Sequence, residues 1–159
     1  MTFKDLPKFL EELEKKNLIK TIDIEVDPEL EITEITDRVS KRFGEALKFN
    51  NVKGSDYPLV INAMGTYERL NLGLGVKNLD DIADQIEDYM NLSAYVTMKG
   101  KIQAIPKLAP LPFIFPRTIK KAPCQEVIEE PDLETLPIIK CWPQDGGKYI
   151  TLPLVFTKD

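Results

Sequence analysis

The first ninety residues alternate between helical and strand-like spacing of their apolar positions. At 5–16 apolar residues recur every three or four positions, which predicts an amphipathic helix ending near Asn17. Apolar and polar residues then alternate at 21–26, as expected for a half-buried strand. The Asp-Pro step at 27–28 predicts the start of a second helix, which should end near Gly44.

The same reasoning predicts two short strands, at 46–49 and 59–63, and two further helices. One helix starts at the Gly-Thr step 65–66, and Asn78 caps the other. This order of helices and strands predicts a compact α/β layer over residues 1–90. Its predicted core consists of Leu6, Leu10, Leu13, Ile22, Ile24, Ile35, Val39, Val60, Ile82 and Ile86.

Past residue 91 the chain is apolar without a clear period and contains prolines at 106, 110, 112 and 116. We expect an extended connection there, followed by strands, of which 125–128 and 150–156 are the better candidates. The predicted organisation is an N-terminal α/β domain at 1–100, a Pro-rich connection at 101–117 and a second, incomplete domain at 118–159.

Composition excludes several classes of function. The chain of 159 residues is 43% hydrophobic and 30% charged, enough for one domain or for one domain and the start of another. Its net charge of -5 argues against a nucleic-acid partner. Without histidine, the chain alone cannot build Ser-His or Cys-His nucleophilic machinery.

Cysteine usage and hydropathy indicate a cytoplasmic protein. Cys124 and Cys141 are too far apart for a C-x-x-C motif and too few for a disulfide framework, so we expect free thiols without metal. No apolar run is long enough to span a bilayer, and the N-terminus lacks the apolar core of a signal peptide.

Glycine-rich positions offer two candidate binding features. Gly73 and Gly75 lack the third glycine of a dinucleotide fingerprint, so we interpret them as a helix end. The sequence Asp145, Gly146, Gly147 permits a close backbone approach to a ligand or another strand, or a simple turn before the strand at 150.

Trp142, followed by Pro143, has two interpretations as well. The indole ring could stack on a flat ligand, but packing under the turn is the commoner outcome for an aromatic residue in this position. The sequence therefore favours packing under the turn.

Several motifs, taken together, resemble the UbiD-type decarboxylase family, the polyprenyl-hydroxybenzoate carboxy-lyases and their relatives. The most specific are Ala-Pro-Cys-Gln-Glu at 122–126, the stretch from Leu-Pro at 136–137 to Trp-Pro at 142–143, and Asp-Gly-Gly at 145–147. Gly-Thr-Tyr-Glu-Arg at 65–69 continues the likeness towards the N-terminus.

The resemblance implies an α/β domain leading into a split β-barrel that binds prenylated flavin mononucleotide (prFMN). It also implies manganese and potassium beside the flavin phosphate, and reversible decarboxylation of aromatic or α,β-unsaturated acids through a Glu-Asp-Arg network. The family's metal ligands, flavin-contacting arginine and catalytic glutamate match no residue of this chain. We therefore carry over no catalytic or metal-binding residue, and we expect no cofactor on this segment alone.

Two hypotheses for function follow. In the first, the chain is the N-terminal part of such a decarboxylase, which binds a small-molecule acid and forms a homo-oligomer through a C-terminal region. In the second, it is a stand-alone, non-catalytic companion or remnant that binds a partner through an open β-edge.

Overall fold

A computed structural model describes residues 3–90 and 118–150. Residues 3–75 and 131–150 belong to one compact unit, here the first unit, and 76–90 with 118–130 belong to a second. The first unit contains α1 (Leu6–Lys15), β1 (Ile19–Ile22), α2 (Glu31–Ser40), β2 (Ala46–Phe49), β3 (Leu59–Ile61) and α3 (Tyr67–Leu74). The second contains α4 (Asp80–Met90) and a 3₁₀ turn at Pro123–Gln125.

The three strands form one sheet in the order β1-β2-β3. β1 and β2 are parallel, with Ile19 opposite Ala46, and α2 makes the crossover that a parallel pair requires. β2 and β3 are antiparallel, with Leu47 opposite Ile61. This mixed sheet confirms the α/β class and both strand positions predicted after Gly44.

β2 is buried on both faces. Leu47 and Phe49 belong to one apolar cluster, which also contains Val26, Ile32, Val39 and Val52. Ala46 belongs to the other, with Phe9 and Leu13 of α1. Because side chains alternate along a strand, α2 covers one face of β2 and α1 the other.

Most predicted helix ends are confirmed. Asn17, which follows the C-cap residue Lys16 of α1, adopts a positive φ of 55°. The Thr66 hydroxyl accepts a hydrogen bond from the Arg69 amide and so caps α3. Gly75, with a φ of 72°, ends α3, as the helix-end interpretation of the glycine pair requires.

α2 begins later than predicted. It starts at Glu31, and its N-cap is Leu30 in a left-handed conformation with φ of 69°. The Asp27 side chain accepts a hydrogen bond from the Glu29 amide instead of capping a helix at 28. The Asp-Pro step therefore forms a turn before the helix.

Three predicted core residues are exposed: Leu6 (59%), Ile24 (73%) and Ile86 (53%). Leu6 lies in the first turn of α1, where Phe9 and Leu13 take the buried stripe. Of the other predicted core residues, Leu13 and Val39 are buried, and the remainder are half-buried: Leu10, Ile22, Ile35, Val60 and Ile82.

Ile24 is exposed because the predicted strand is interrupted. β1 ends at Ile22, whose carbonyl accepts a hydrogen bond from the Asn50 amide. The chain then bends at Ile24 and resumes pairing only at Val26, which bridges Val52. The alternation that predicted one continuous strand is therefore split by a turn.

The prediction of one compact layer through residue 90 is wrong, since α4 falls in the second unit. The predicted strand at 125–128 is also wrong, because a 3₁₀ turn occupies Pro123–Gln125 and no strand follows within the described residues. The Pro-rich connection at 101–117 and most of the strand at 150–156 lie outside the described ranges. The domain bounds stay predictions.

No helix within residues 3–90 and 118–150 has both the length and the apolar character needed to cross a bilayer. A cytoplasmic location stays a prediction.

Two isoleucines test the assignment of the core. Ile32→Ala should lower the free energy of unfolding by about 2–5 kcal/mol, because Ile32 is fully buried in the cluster around Phe49. Ile24→Ala should change it by less than about 0.5 kcal/mol. Urea unfolding of both variants measures the difference, and equal losses would contradict the assignment.

Candidate functional site

Residues 131–150, here called the strap, belong to the first unit. They lie against the turn at 27–30 that precedes α2. The Lys140 amide donates to the Pro28 carbonyl (3.1 Å), and the Leu30 amide donates to the Lys140 carbonyl (3.0 Å). The Lys140 ammonium also lies 3.0 Å from a Glu29 carboxylate oxygen. Lys140 thus ties the strap to the first unit through backbone and side chain.

A second tether holds the strap further upstream. The Ser55 hydroxyl donates to the Thr135 carbonyl at 2.6 Å. Between the tethers, Ile139 packs against the apolar cluster of α2 and β2. The strap is therefore held by polar contacts at two points and by apolar packing between them.

Leu30 is strained where the strap docks. A φ of 69° is a genuine outlier for a bulky residue and costs of order 1–3 kcal/mol. This conformation coincides with the hydrogen bond from the Leu30 amide to Lys140. The docked strap and the left-handed turn therefore occur together.

An ion pair between Lys53 and Asp27 also stabilises this turn. The Lys53 ammonium lies 2.8 Å from one Asp27 oxygen, and the Glu29 amide donates to the other at 2.9 Å. The hydrogen bond from Lys53, followed by that from Glu29, lowers the pKa of Asp27 below its ordinary value. The same hydrogen bond raises the pKa of Lys53.

The predicted site residues form a turn at the end of the strap. One Asp145 carboxylate oxygen accepts from the Trp142 amide (2.9 Å), and the Asp145 amide donates to the Trp142 carbonyl (3.1 Å). The Gly146 amide donates to the Tyr149 phenol oxygen at 3.3 Å. Neither Gly146 nor Gly147 has a positive φ. A role of Asp145, Gly146 and Gly147 in ligand binding stays a prediction.

A cleft of about 640 Å³ lies beside this turn. Its polar groups are the Lys148 ammonium, the Glu134 carboxylate and the Tyr149 phenol, and its other lining residues are Leu133, Ile138 and Ile150. Such a lining can hydrogen-bond a polar ligand and bury an apolar one.

The described side chains do not fit the metal centre that the resemblance implies. Within residues 3–90 and 118–150, no three His, Cys, Asp or Glu side chains are grouped to hold an ion. Manganese and potassium ligands are therefore not assigned to them. Cys141 is a free, half-buried thiol, and the side chain of Cys124 lies outside the described residues.

Trp142 lines a second opening, a groove of about 340 Å³ between α2 and the strap. Its side chain is 62% exposed and so does not pack under the turn. The predicted packing under the turn is therefore wrong, and stacking of Trp142 on a flat ligand stays a prediction.

Sequence reasoning missed a buried arginine at the start of α3. Arg69 is 2% exposed, and its Nη2 donates to the Asn62 carbonyl at 3.1 Å. Burial lowers the pKa of Arg69. A Cβ at Gly65 would lie 1.7 Å from the Asn62 Oδ1, so a larger residue at 65 would displace the Asn62 side chain. The sequence signal that could have pointed to Arg69 is the Gly-Thr-Tyr-Glu-Arg motif at 65–69. In the structure this motif forms the corner between β3 and α3.

Comparison with protein families identifies the chain. Residues 10–88 match the family model described as 3-octaprenyl-4-hydroxybenzoate carboxy-lyase N-terminal domain, and residues 117–159 match that of the Rift-related domain of the same carboxy-lyases. Together the matches cover most of the chain in the family's domain order. The chain belongs to the UbiD carboxy-lyase family, whose N-terminal domain it contains.

Its relatives are longer proteins. An uncharacterized protein of Archaeoglobus fulgidus is 38% identical over 159 residues, which are 100% of this chain and 33% of that protein. An uncharacterized protein of Aquifex aeolicus is 40% identical over 161 residues, covering 99% of this chain and 33% of that protein. The chain thus spans about a third of the length of these relatives.

Solved structures agree with the family. The vanillic acid decarboxylase of Sedimentibacter hydroxybenzoicus, in its open form, matches 93% of this chain and 30% of its own, with 26% identity and a TM-score of 0.65. An evolved dimeric form of the UbiD-class enzyme HmfF from Pelotomaculum thermopropionicum, in complex with prFMN, matches 54% of this chain and 20% of its own. That match has 28% identity and a TM-score of 0.47.

The pKa of Asp27 predicts a pH-dependent contribution to stability. A carboxyl whose pKa is lowered by folding stabilises the native state above its ordinary pKa of 3.8, and this contribution is lost as pH falls through the folded value. Asp27→Asn should therefore be less stable than the parent at pH 7, with a gap that narrows once the pH falls below 3.8 and closes as it falls through the lowered pKa of Asp27.

Thermal unfolding from pH 2 to pH 7 measures this gap. Asp56→Asn is the control, since Asp56 is exposed and forms no ion pair within the described residues. A gap for Asp27→Asn that persists unchanged at pH 2 would contradict the electrostatic explanation.

Proposed function

We propose that this chain is the N-terminal part of a decarboxylase that uses prFMN and acts reversibly on aromatic or α,β-unsaturated carboxylic acids. The observation that carries the proposal is the succession of two carboxy-lyase domains at 10–88 and 117–159. The likeness to vanillic acid decarboxylase over 93% of the chain supports the same class.

In this proposal the described residues position the cofactor domain. The strap falls within the match to the Rift-related domain, yet its tethers at Ser55 and Lys140 belong to the first unit. The turn at Asp145, Gly146 and Gly147 follows the Lys140 tether directly. The first unit would thus hold this turn in place beside the flavin.

No catalytic step is assigned to any residue of this chain. The family's acid/base glutamate and metal ligands match no residue here, and the described side chains provide no metal site. Catalysis also requires an acid of tuned pKa close to the reacting carbon. In the proposal, prFMN, manganese, potassium and the acid substrate are bound mainly by the part of the enzyme that its longer relatives carry.

Homo-oligomerisation through a C-terminal region belongs to this proposal as well. The alternative, a companion protein that binds through an open β-edge, stays a prediction. The strand that would supply the edge, at 150–156, lies mostly outside the described residues.

A chimera tests the proposal. Residues 1–159 replace the aligned third of the Aquifex aeolicus relative, and the chimera, that intact relative and the 159-residue chain are each incubated with reconstituted prFMN and manganese. After desalting, the flavin absorbance per polypeptide and the release of carbon dioxide from a panel of aromatic and acrylic acids are measured.

We expect the intact relative and the chimera to retain flavin and the chain alone to retain none, because phosphate-neutralising groups and a walled pocket are needed. Stoichiometric retention or turnover by the chain alone would show that the site is misplaced. A chimera that folds but loses the flavin that the intact relative holds would contradict the proposed role of residues 1–159.

A further inference from the structure

The exposed apolar side chains of residues 3–75 are concentrated on one face of the first unit. Seven large hydrophobic side chains in this range are exposed, and five of them line two adjoining hollows of about 270 and 330 Å³. Met64 lines both hollows and so joins them. The five side chains, here called the apolar patch, are Leu6, Phe43, Met64, Tyr67 and Leu74.

The surroundings of the patch are also poor in charge. Asp5 is the only charged residue that lines either hollow. Its carboxylate accepts a hydrogen bond from the Lys8 amide at 2.9 Å and so caps α1. Phe43 (81%) and Tyr67 (77%) are the most exposed members of the patch. A contiguous apolar surface rimmed by polar residues marks a place where another surface packs.

Phe43 is held in the patch in an unfavourable backbone conformation. The Phe43 amide donates to the Ser40 carbonyl and the Gly44 amide to the Val39 carbonyl, both at 2.9 Å. These two bonds form a Schellman motif at the end of α2, and the left-handed residue of that motif is usually glycine. Here it is Phe43, with a φ of 54°. Local preference does not explain a phenylalanine at this position, whereas a role for its exposed ring does.

The length of the relatives indicates what covers the patch. The chain corresponds to 33% of each of the two curated relatives and to 30% of the vanillic acid decarboxylase chain. About two thirds of each curated relative therefore lies outside the matched part. An interface inside one polypeptide leaves apolar surface exposed when only one of its two sides is present.

We propose that the apolar patch is an internal interface, covered by the part of the same longer polypeptide that follows residue 159. The covering surface is apolar, because Asp5 is the only charged residue at the two hollows. This inference rests on the proposed function only in taking residues 1–159 as part of a longer protein. It involves neither the flavin nor the acid substrate, so its test is independent of both.

Hydroxyl-radical oxidation, read by peptide mass spectrometry, measures which side chains are covered. The native polypeptide that contains residues 1–159, purified from its own cells, is compared with the 159-residue chain. We expect oxidation of Phe43, Met64 and Tyr67 to be severalfold lower in the native polypeptide. Tyr57 is the control, since it is 47% exposed but lines neither hollow, and its oxidation should change less.

Phe43→Gly separates the interface from the local structure. In the 159-residue chain, glycine relieves the left-handed conformation and should raise the midpoint of thermal unfolding. In the chimera with the Aquifex aeolicus relative, the same change should lower the midpoint, because the covering surface loses the ring. The matched control is Asn17→Gly, which also replaces a left-handed residue after a helix, at the opposite end of α1 from Leu6. It should shift both midpoints in the same direction.

Several results would overturn the proposal. One is equal oxidation of the patch in the native polypeptide and in the 159-residue chain, or equal protection of Tyr57. Another is a shift by Phe43→Gly in the same direction in chain and chimera. Protection that disappears when the native protein is diluted to monomers would assign the patch to a second copy, and a native polypeptide limited to residues 1–159 would exclude the covering segment. If the chimera does not fold, the oxidation experiment decides alone.

Discussion

The burial of β2 on both faces is the constraint on which the rest of the first unit depends. Leu47 and Phe49 are covered on the α2 side, and Ala46 is covered on the α1 side. A one-residue shift of register would exchange the two sets and place Lys48 against the α2 cluster. In the observed register Lys48 instead lies on the α1 side, 3.6 Å from Glu14. The positions of both helices and both neighbouring strands follow from this register.

The strap extends that constraint into the second family domain. Residues 131–150 lie within the match to the Rift-related domain, but they pack with the first unit. Ile139 reaches the cluster around Phe49, and Lys140 meets the strained turn at Leu30. A family boundary drawn from sequence therefore differs from the boundary of compact packing. The consequence for function is that the Asp145 turn is fixed relative to the N-terminal sheet.

Sequence patterns predicted those parts of the fold that local interactions determine. The Thr66 cap and the end of α3 at Gly75 depend on neighbouring residues, and each is confirmed. The strand at 46–49 is confirmed as well, although its burial depends on α1 and α2. The predicted burial of Ile24 and the predicted strand at 125–128 were wrong. Strand pairing depends on distant partners, and the alternation of apolar and polar residues does not reveal them. The burial of Arg69 depends on the corner formed by Asn62 and Gly65, which is also a tertiary feature.

The candidate site could be predicted only in part. The family motifs identified the class of enzyme, and the sequence drew attention to Trp142 and Asp145. It did not reveal that Asp145 fixes the backbone of Trp142 or that α2 supplies the facing wall of the groove. Those relations arise from the docking of the strap at Lys140, which lies 100 residues after the end of α2 at Ser40.

Native mass spectrometry of the protein isolated from its own cells tests the central claim most directly. The account predicts that residues 1–159 occur within a longer polypeptide that carries the mass of one prenylated flavin per chain. A native polypeptide limited to these 159 residues and free of flavin would contradict it.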